Sequence, residues 1–190
     1  MKKGFGGMSI PNLLTICRIL LTPLLVWLLL EKKLKAALVV FFIAGLTDGL
    51  DGLIARVFSQ KTRLGAYLDP LADKLLLVST FILLGIQDLI PHWLAVIAVS
   101  RDILIILGVS TLMIHHVPLE IRPSVLSKAT TLFQLLTLFA VMGSWLFPLP
   151  SPAYSVLFVV TALLSVLSGI HYVHLGISLF ETHRNRTDAP

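Results

Sequence analysis

Six runs of about twenty mostly apolar residues, parted by short polar breaks, fill this chain from Ile10 to Phe180. A bilayer core about 30 Å thick is crossed by about 20 helical residues. The runs Ile10–Leu30, Ala36–Val57, Leu64–Ile86, His92–Ile114, Val125–Leu146 and Ala153–Phe180 each have that length. They do not alternate polar and apolar residues as barrel strands do. The fold class this predicts is all-α: a polytopic membrane protein, a bundle of six transmembrane helices, with turns at Gln87–Pro91 and Phe147–Pro152. Charged residues make up 13% of the chain, against about 25% in soluble domains, which excludes a water-soluble globule and a disordered chain. The single cysteine, Cys17, excludes a disulfide scaffold. No linker or low-complexity tract interrupts residues 1–190, so one membrane-embedded domain is expected. Residues 1–9 read as a short interfacial segment and residues 181–190 as a polar tail. The first apolar run is too long for a cleaved signal peptide.

Six crossings bring both ends to one side. That side carries Lys2, Lys3, Arg56, Lys61, Arg63, Arg122, Lys128, Arg184 and Arg186, and the other carries Lys32, Lys33 and Lys35. The basic excess marks the cytoplasmic face. The net charge of +5 is read as contact with anionic lipid headgroups, not with nucleic acid.

Four acidic residues fall where the second and third runs face each other: Asp48, Asp51, Asp69 and Asp73. Spacings of three and four put each pair on one helix face, and the short Arg56–Arg63 segment makes the two helices antiparallel neighbours. A carboxylate buried in lipid costs at least about 2.5 kcal/mol, and four together repel one another. Divalent cations resolve both problems, and oxygen ligands of this kind suit Mg²⁺, Mn²⁺ or Ca²⁺. The plainer alternative is ion pairing with Arg56, Arg63 and Lys74. Gly45, Gly49 and Gly52 form a small-residue face. Close helix packing explains Gly45, whereas Gly52 and Gly65 lie where a missing side chain lets a ligand approach the backbone.

Residues 48 to 73 read D-G-L-D-G-L-I-A-R-V-F-S-Q-K-T-R-L-G-A-Y-L-D-P-L-A-D. They match every specified position of the pattern D-x2-D-G-x2-A-R-x8-G-x3-D-x3-D, and the chain therefore resembles the CDP-alcohol phosphotransferase (phosphatidyltransferase) family. P-N-L-L-T-I-C-R (Pro11–Arg18) looks like that family's first-helix motif. The resemblance implies a metal-dependent transfer of a substituted phosphate from a CDP-alcohol to a hydroxyl acceptor, with release of CMP. It implies Asp48, Asp51 and Asp69 as metal ligands. Asp73 would be the general base and would help to hold the second of two Mg²⁺ or Mn²⁺ ions. It implies Gly52, Arg56 and Gly65 as CDP-binding residues, with Asn12 and Thr15 contributing, and it implies a homodimer. General chemistry agrees. Metals bridging a pyrophosphate offset its charge, an arginine adds a bidentate phosphate contact, and a nearby carboxylate deprotonates an attacking hydroxyl. A site at the cytoplasmic end of the spans, in the inner membrane, lets a soluble cytidine head enter while acyl tails stay in lipid.

A second polar set comprises Arg101, Asp102, Arg122, Ser124, Ser127 and Lys128. Arg101 and Asp102 could simply neutralise each other. The functional reading is that Arg101, Arg122 and Lys128 hold an acceptor phosphate. S-R-D-I (Ser100–Ile103) and R-P-S-V-L-S-K-A-T-T (Arg122–Thr131) look most like the family's phosphatidylglycerol and cardiolipin branch. With CDP-diacylglycerol as donor, three cations suit the dianion of glycerol 3-phosphate. The alternative acceptor is phosphatidylglycerol, toward which the Arg-Asp pair, G-L-T-D-G-L-D-G (Gly45–Gly52) and G-I-H-Y-V-H-L-G (Gly169–Gly176) lean. His171 and His174 read as polar bundle lining ahead of a metal pair. A magnesium carrier or channel is the competing class, but it calls for acidic residues along a whole pathway, and the last two runs contain none before Phe180. An inactive nucleotide-binding homologue is a third option, which the complete Asp quartet disfavours.

Overall fold

A computed structural model describes residues 10–58, 63–114, 124–146 and 148–187, with side chains described over 17–47, 74–108, 110–111, 124–146 and 148–178. All the described secondary structure is helical. Six helices follow one another: α1 (Ile10–Leu30), α2 (Leu34–Phe58), α3 (Arg63–Ile86), α4 (His92–Ile114), α5 (Val125–Met142) and α6 (Ser151–Thr187). Residues 1–9, expected to lie along an interface, are outside the described residues.

Local chemistry explains where the helices stop. After α1, the Lys33 N–H donates to the Leu28 carbonyl at 2.8 Å and the Lys32 N–H to the Leu29 carbonyl at 2.9 Å. Lys32 sits between them at φ 55°. This is a Schellman closure, which satisfies carbonyls that the helix leaves open. The end of α3 repeats it: the Leu89 N–H donates to the Leu84 carbonyl and the Asp88 N–H to the Gly85 carbonyl, with Asp88 at φ 57°. Aspartate tolerates the left-handed region better than lysine does. α5 is capped at its N-terminus by Ser124, whose hydroxyl accepts the Ser127 N–H at 3.1 Å. It ends four residues before the expected Leu146, because Gly143 caps it by donating to the Phe139 carbonyl and a turn follows.

The contacts divide the chain into two compact units, Met1–Leu83 and Leu84–Pro190. In the first, α1 packs on α2, burying Leu25, Leu29, Ala37, Phe41 and Ala44, while Leu76, Leu77, Thr80 and Phe81 are buried on α3. Among the described residues nothing packs closely on Gly45: it is exposed and a Cβ built on it meets nothing within 4 Å. In the second unit α6 packs against both α4 and α5.

Apolar and polar side chains are distributed in reverse of a soluble protein. Leu20, Val39, Leu75, Val96, Leu132 and Val156, one from each helix, are more than half exposed, while Arg101, Asp102, Thr130, Gln134, Thr137, Thr161, Ser165 and Ser168 are buried. Such a surface fits hydrocarbon rather than water. Among the described residues, Val125–Met142 and Ser151–Ser178 are the two stretches long and apolar enough to cross a membrane. Cys17–Leu30, Leu34–Thr47 and Lys74–Ile86 are apolar but shorter, and α4 carries Arg101 and Asp102 near its middle. The expectation of an all-helical chain of six helices is met, and two of the six are, among the described residues, both long and apolar enough for a crossing.

Candidate active site

The acidic quartet falls on two helices of the first unit. Asp48 and Asp51 are in α2, Asp69 and Asp73 in α3. Asp48 lies ten residues before the end of α2 at Phe58, and Asp73 lies ten after the start of α3 at Arg63. Asp51 and Asp69 lie seven and six residues from the same ends. At about 1.5 Å of rise per residue, the pairs have matching distances along their helices from the Phe58–Arg63 connection. Gly52 and Arg56 continue α2, Gly65 is in the first turn of α3, and Asn12 and Thr15 are in the first turns of α1. Their backbones are helical; the side chains of these nine residues lie outside the described ones. Arg122 lies wholly outside them. Four carboxylates on two helices are a donor set of hard oxygens that fits Mg²⁺ or Mn²⁺. Elsewhere among the described residues no group of three or more His, Cys, Asp or Glu could hold a metal ion. His171 and His174 are exposed on α6.

The second polar set is described in full around Arg101. This residue is 2% exposed and its neighbour Asp102 is 1% exposed. Arg101 Nη1 donates to Asp102 Oδ1 at 2.6 Å. Nη2 donates to Ser127 Oγ of α5 at 2.7 Å and to Ser168 Oγ of α6 at 2.9 Å. Nε donates to the same Ser168 oxygen at 3.3 Å. A guanidinium has five N–H donors, and four are used here. One side chain thus ties three helices together, with its charge matched by a carboxylate inside the bundle. Lys128, one residue past Ser127 in the first turn of α5, is exposed. Of the three cations expected to share an acceptor phosphate, the structure presents Lys128 at the surface and keeps Arg101 within the helix interface.

Ser168 was not singled out by its sequence, and it belongs to a larger seam. On α5, Ser127, Thr130, Gln134 and Thr137 recur at intervals of three and four, and on α6 Thr161, Ser165 and Ser168 do the same. The Thr130 hydroxyl reaches the Leu164 carbonyl at 3.1 Å, and the hydroxyls of Thr137 and Thr161 are 2.8 Å apart. The helical spacing of small hydroxyl residues in otherwise apolar runs was the available signal. On the other side of α6, a groove of about 540 Å³ runs along α4, lined by Ile97, Leu104, Val166, Ile170 and Val173 beside Arg101.

Residues 8–170 match the family model described as CDP-alcohol phosphatidyltransferase. The chain is 37% identical over 185 residues to a CMP-forming cardiolipin synthase of Rattus norvegicus, covering 88% of this chain and 61% of that protein. It is 35% identical over 185 residues to the CMP-forming cardiolipin synthase of Homo sapiens, with 88% and 62% covered. It is also 37% identical over 139 residues to a CDP-diacylglycerol–glycerol-3-phosphate 3-phosphatidyltransferase of Aquifex aeolicus, with 70% and 75% covered. The chain spans about three fifths of the length of the two cardiolipin synthases.

Proposed function

The chain belongs to the CDP-alcohol phosphatidyltransferase family, and on that premise we propose that it transfers a phosphatidyl group from CDP-diacylglycerol to a lipid hydroxyl, releasing CMP. The observation that carries this reading is the matched spacing of Asp48, Asp51, Asp69 and Asp73 from the end of α2 and the start of α3, which follow each other along the chain. Asp48, Asp51 and Asp69, joined by Asp73, would hold two Mg²⁺ or Mn²⁺ ions, which would supply charge neutralisation for the pyrophosphate and the departing CMP phosphate. Asp73 takes the proton of the acceptor hydroxyl. The freed oxygen bonds to the phosphorus that carries diacylglycerol, and the bond from that phosphorus to the CMP phosphate breaks. Arg56 grips the diphosphate as a bidentate donor, Gly52 and Gly65 let the nucleotide approach the backbone, and Asn12 and Thr15 contact the cytidine portion. All six helices span the inner membrane, the site faces the cytoplasm, and the active form is a homodimer.

Arg101, Arg122 and Lys128 form the acceptor side, with Lys128 and Arg122 meeting its phosphate and Arg101 behind Lys128. The acceptor that this arrangement favours is phosphatidylglycerol. The case for glycerol 3-phosphate needs three spare cations, and Asp102 already matches the charge of Arg101. The apolar groove beside Arg101 also suits an acceptor that carries hydrocarbon. Purified protein supplied with labelled CDP-diacylglycerol and Mg²⁺ or Mn²⁺ tests this, with phosphatidylglycerol, glycerol 3-phosphate and inositol phosphate offered separately. Cardiolipin is the expected product. Phosphatidylglycerophosphate instead would assign the acceptor to glycerol 3-phosphate, and no CMP from any acceptor would overturn the transferase reading.

A further inference from the structure

Arg101 is in a poor position to bind a ligand and in a good one to hold a helix. Its side chain is 2% exposed, four of its five N–H bonds are used, and Asp102 compensates its charge. A phosphate reaching the guanidinium would have to displace charge-assisted hydrogen bonds, which are the strong ones. Ser168 fixes the guanidinium plane. Its single oxygen accepts from both Nε and Nη2, a two-point contact that stops rotation about the last side-chain bond. The other N–H of Nη2 then points at Ser127 Oγ. Ser127 sits in the first turn of α5, its own N–H bonded to the Ser124 hydroxyl that caps the helix, and Lys128 follows it.

We propose that Arg101 is a positioning residue, oriented by Ser168 of α6 and in turn anchoring Ser127, so that the first turn of α5 presents Lys128 to the phosphate of the acceptor. The inference rests on the transferase reading and deepens its acceptor side. It makes Ser168, which lies on a different helix from the acceptor lysine, a determinant of acceptor affinity. The chemical class recognised is a phosphate ester, contacted by an ammonium whose place is set from behind by the Arg101–Asp102 ion pair. The chain of contacts runs Ser168, Arg101, Ser127, Lys128, and crosses from α6 through α4 to α5.

A double-mutant cycle on the full chain in CMP-release assays tests it, with KM measured separately for CDP-diacylglycerol and for the acceptor that turns over. S168A is expected to raise the acceptor KM about fivefold, within the range of couplings inside one hydrogen-bond network, and to leave the donor KM within about twofold. S168T, which keeps the hydroxyl, restores the acceptor KM. In the K128A background S168A adds little, because the lysine it positions is gone. Additive effects of S168A and K128A, or equal rises in both KM values, overturn the proposal. If S168A does not fold, S127A enters the same cycle. Lack of CMP release by the unsubstituted chain removes the transferase reading and this one together, whereas turnover with S168A indistinguishable from the parent removes this one alone.

Discussion

The hydroxyls of Thr137 on α5 and Thr161 on α6 lie 2.8 Å apart, and both residues are fully buried. Both also approach the Phe133 carbonyl, at 2.8 and 3.4 Å. T137V keeps the branched shape and removes the hydroxyl–hydroxyl bond, leaving the Thr161–Phe133 and Thr130–Leu164 bonds between the helices. The expected loss is about 0.6–1 kcal/mol, the size measured for polar contacts between membrane helices. Thermal unfolding in detergent reads it, and an unchanged midpoint would show the pair to be energetically idle.

One turn before Thr137, Gln134 is fully buried, and neither Oε1 nor Nε2 has a hydrogen-bond partner among the described residues. Burying an amide without a partner costs about 1–3 kcal/mol by the mutational measure. Q134L should therefore raise stability by about 1 kcal/mol. A fall in stability would mean that a buried water bridges the amide to the neighbouring hydroxyls.

Among the described residues, Asp102 is the carboxylate bonded to Arg101. D102N leaves a buried guanidinium with no matching charge, a change that typically costs about 3–5 kcal/mol. The paired replacement R101M/D102L removes both charges and should lose less stability than D102N alone. The comparison is made by helicity-monitored melting of the three proteins. Equal stability of D102N and the parent would show that Asp102 does not compensate Arg101.

Lys32 closes α1 at φ 55°, where a side chain other than glycine is strained. K32G should stabilise the helix end by about 0.5–1 kcal/mol. Its signature is slower exchange of the Lys33 amide, which donates to Leu28; faster exchange would contradict the strain.

On the transferase reading, D73N should lower CMP release by at least about a hundredfold, the lower bound of what a positioned base contributes, while CDP-diacylglycerol binding stays near that of the parent. D48N should shift the Mg²⁺ titration to higher concentration. Normal turnover by D73N would remove the base assignment, and an unshifted titration by D48N would remove that ligand.

Helix positions were legible because hydrophobic run length and turn residues act locally. α1 and α4 begin and end where the runs do, and α2 and α3 differ by two residues or fewer at each end. α5 stopped short because Gly143 caps it through the Phe139 carbonyl, a contact that an apolar run extending to Leu146 hides. α6 ran on to Thr187 because its polar tail also suits a helix. The role of Gly45 was not legible, since the meaning of a small residue depends on which face a neighbour covers.

The order of residues by itself determined the acidic pairs, their spacing and the helices that carry them, because periodicity along one helix needs no partner. It also determined the family, because the motif is a contiguous stretch. What Arg101 does was decided only by tertiary structure. The sequence shows a cation in an apolar run beside Asp102, equally able to grip a phosphate or to hold a helix. Its choice of partners depended on Ser127 and Ser168, 26 and 67 positions away, and separations of that size are closed by packing α6 against α4 and α5.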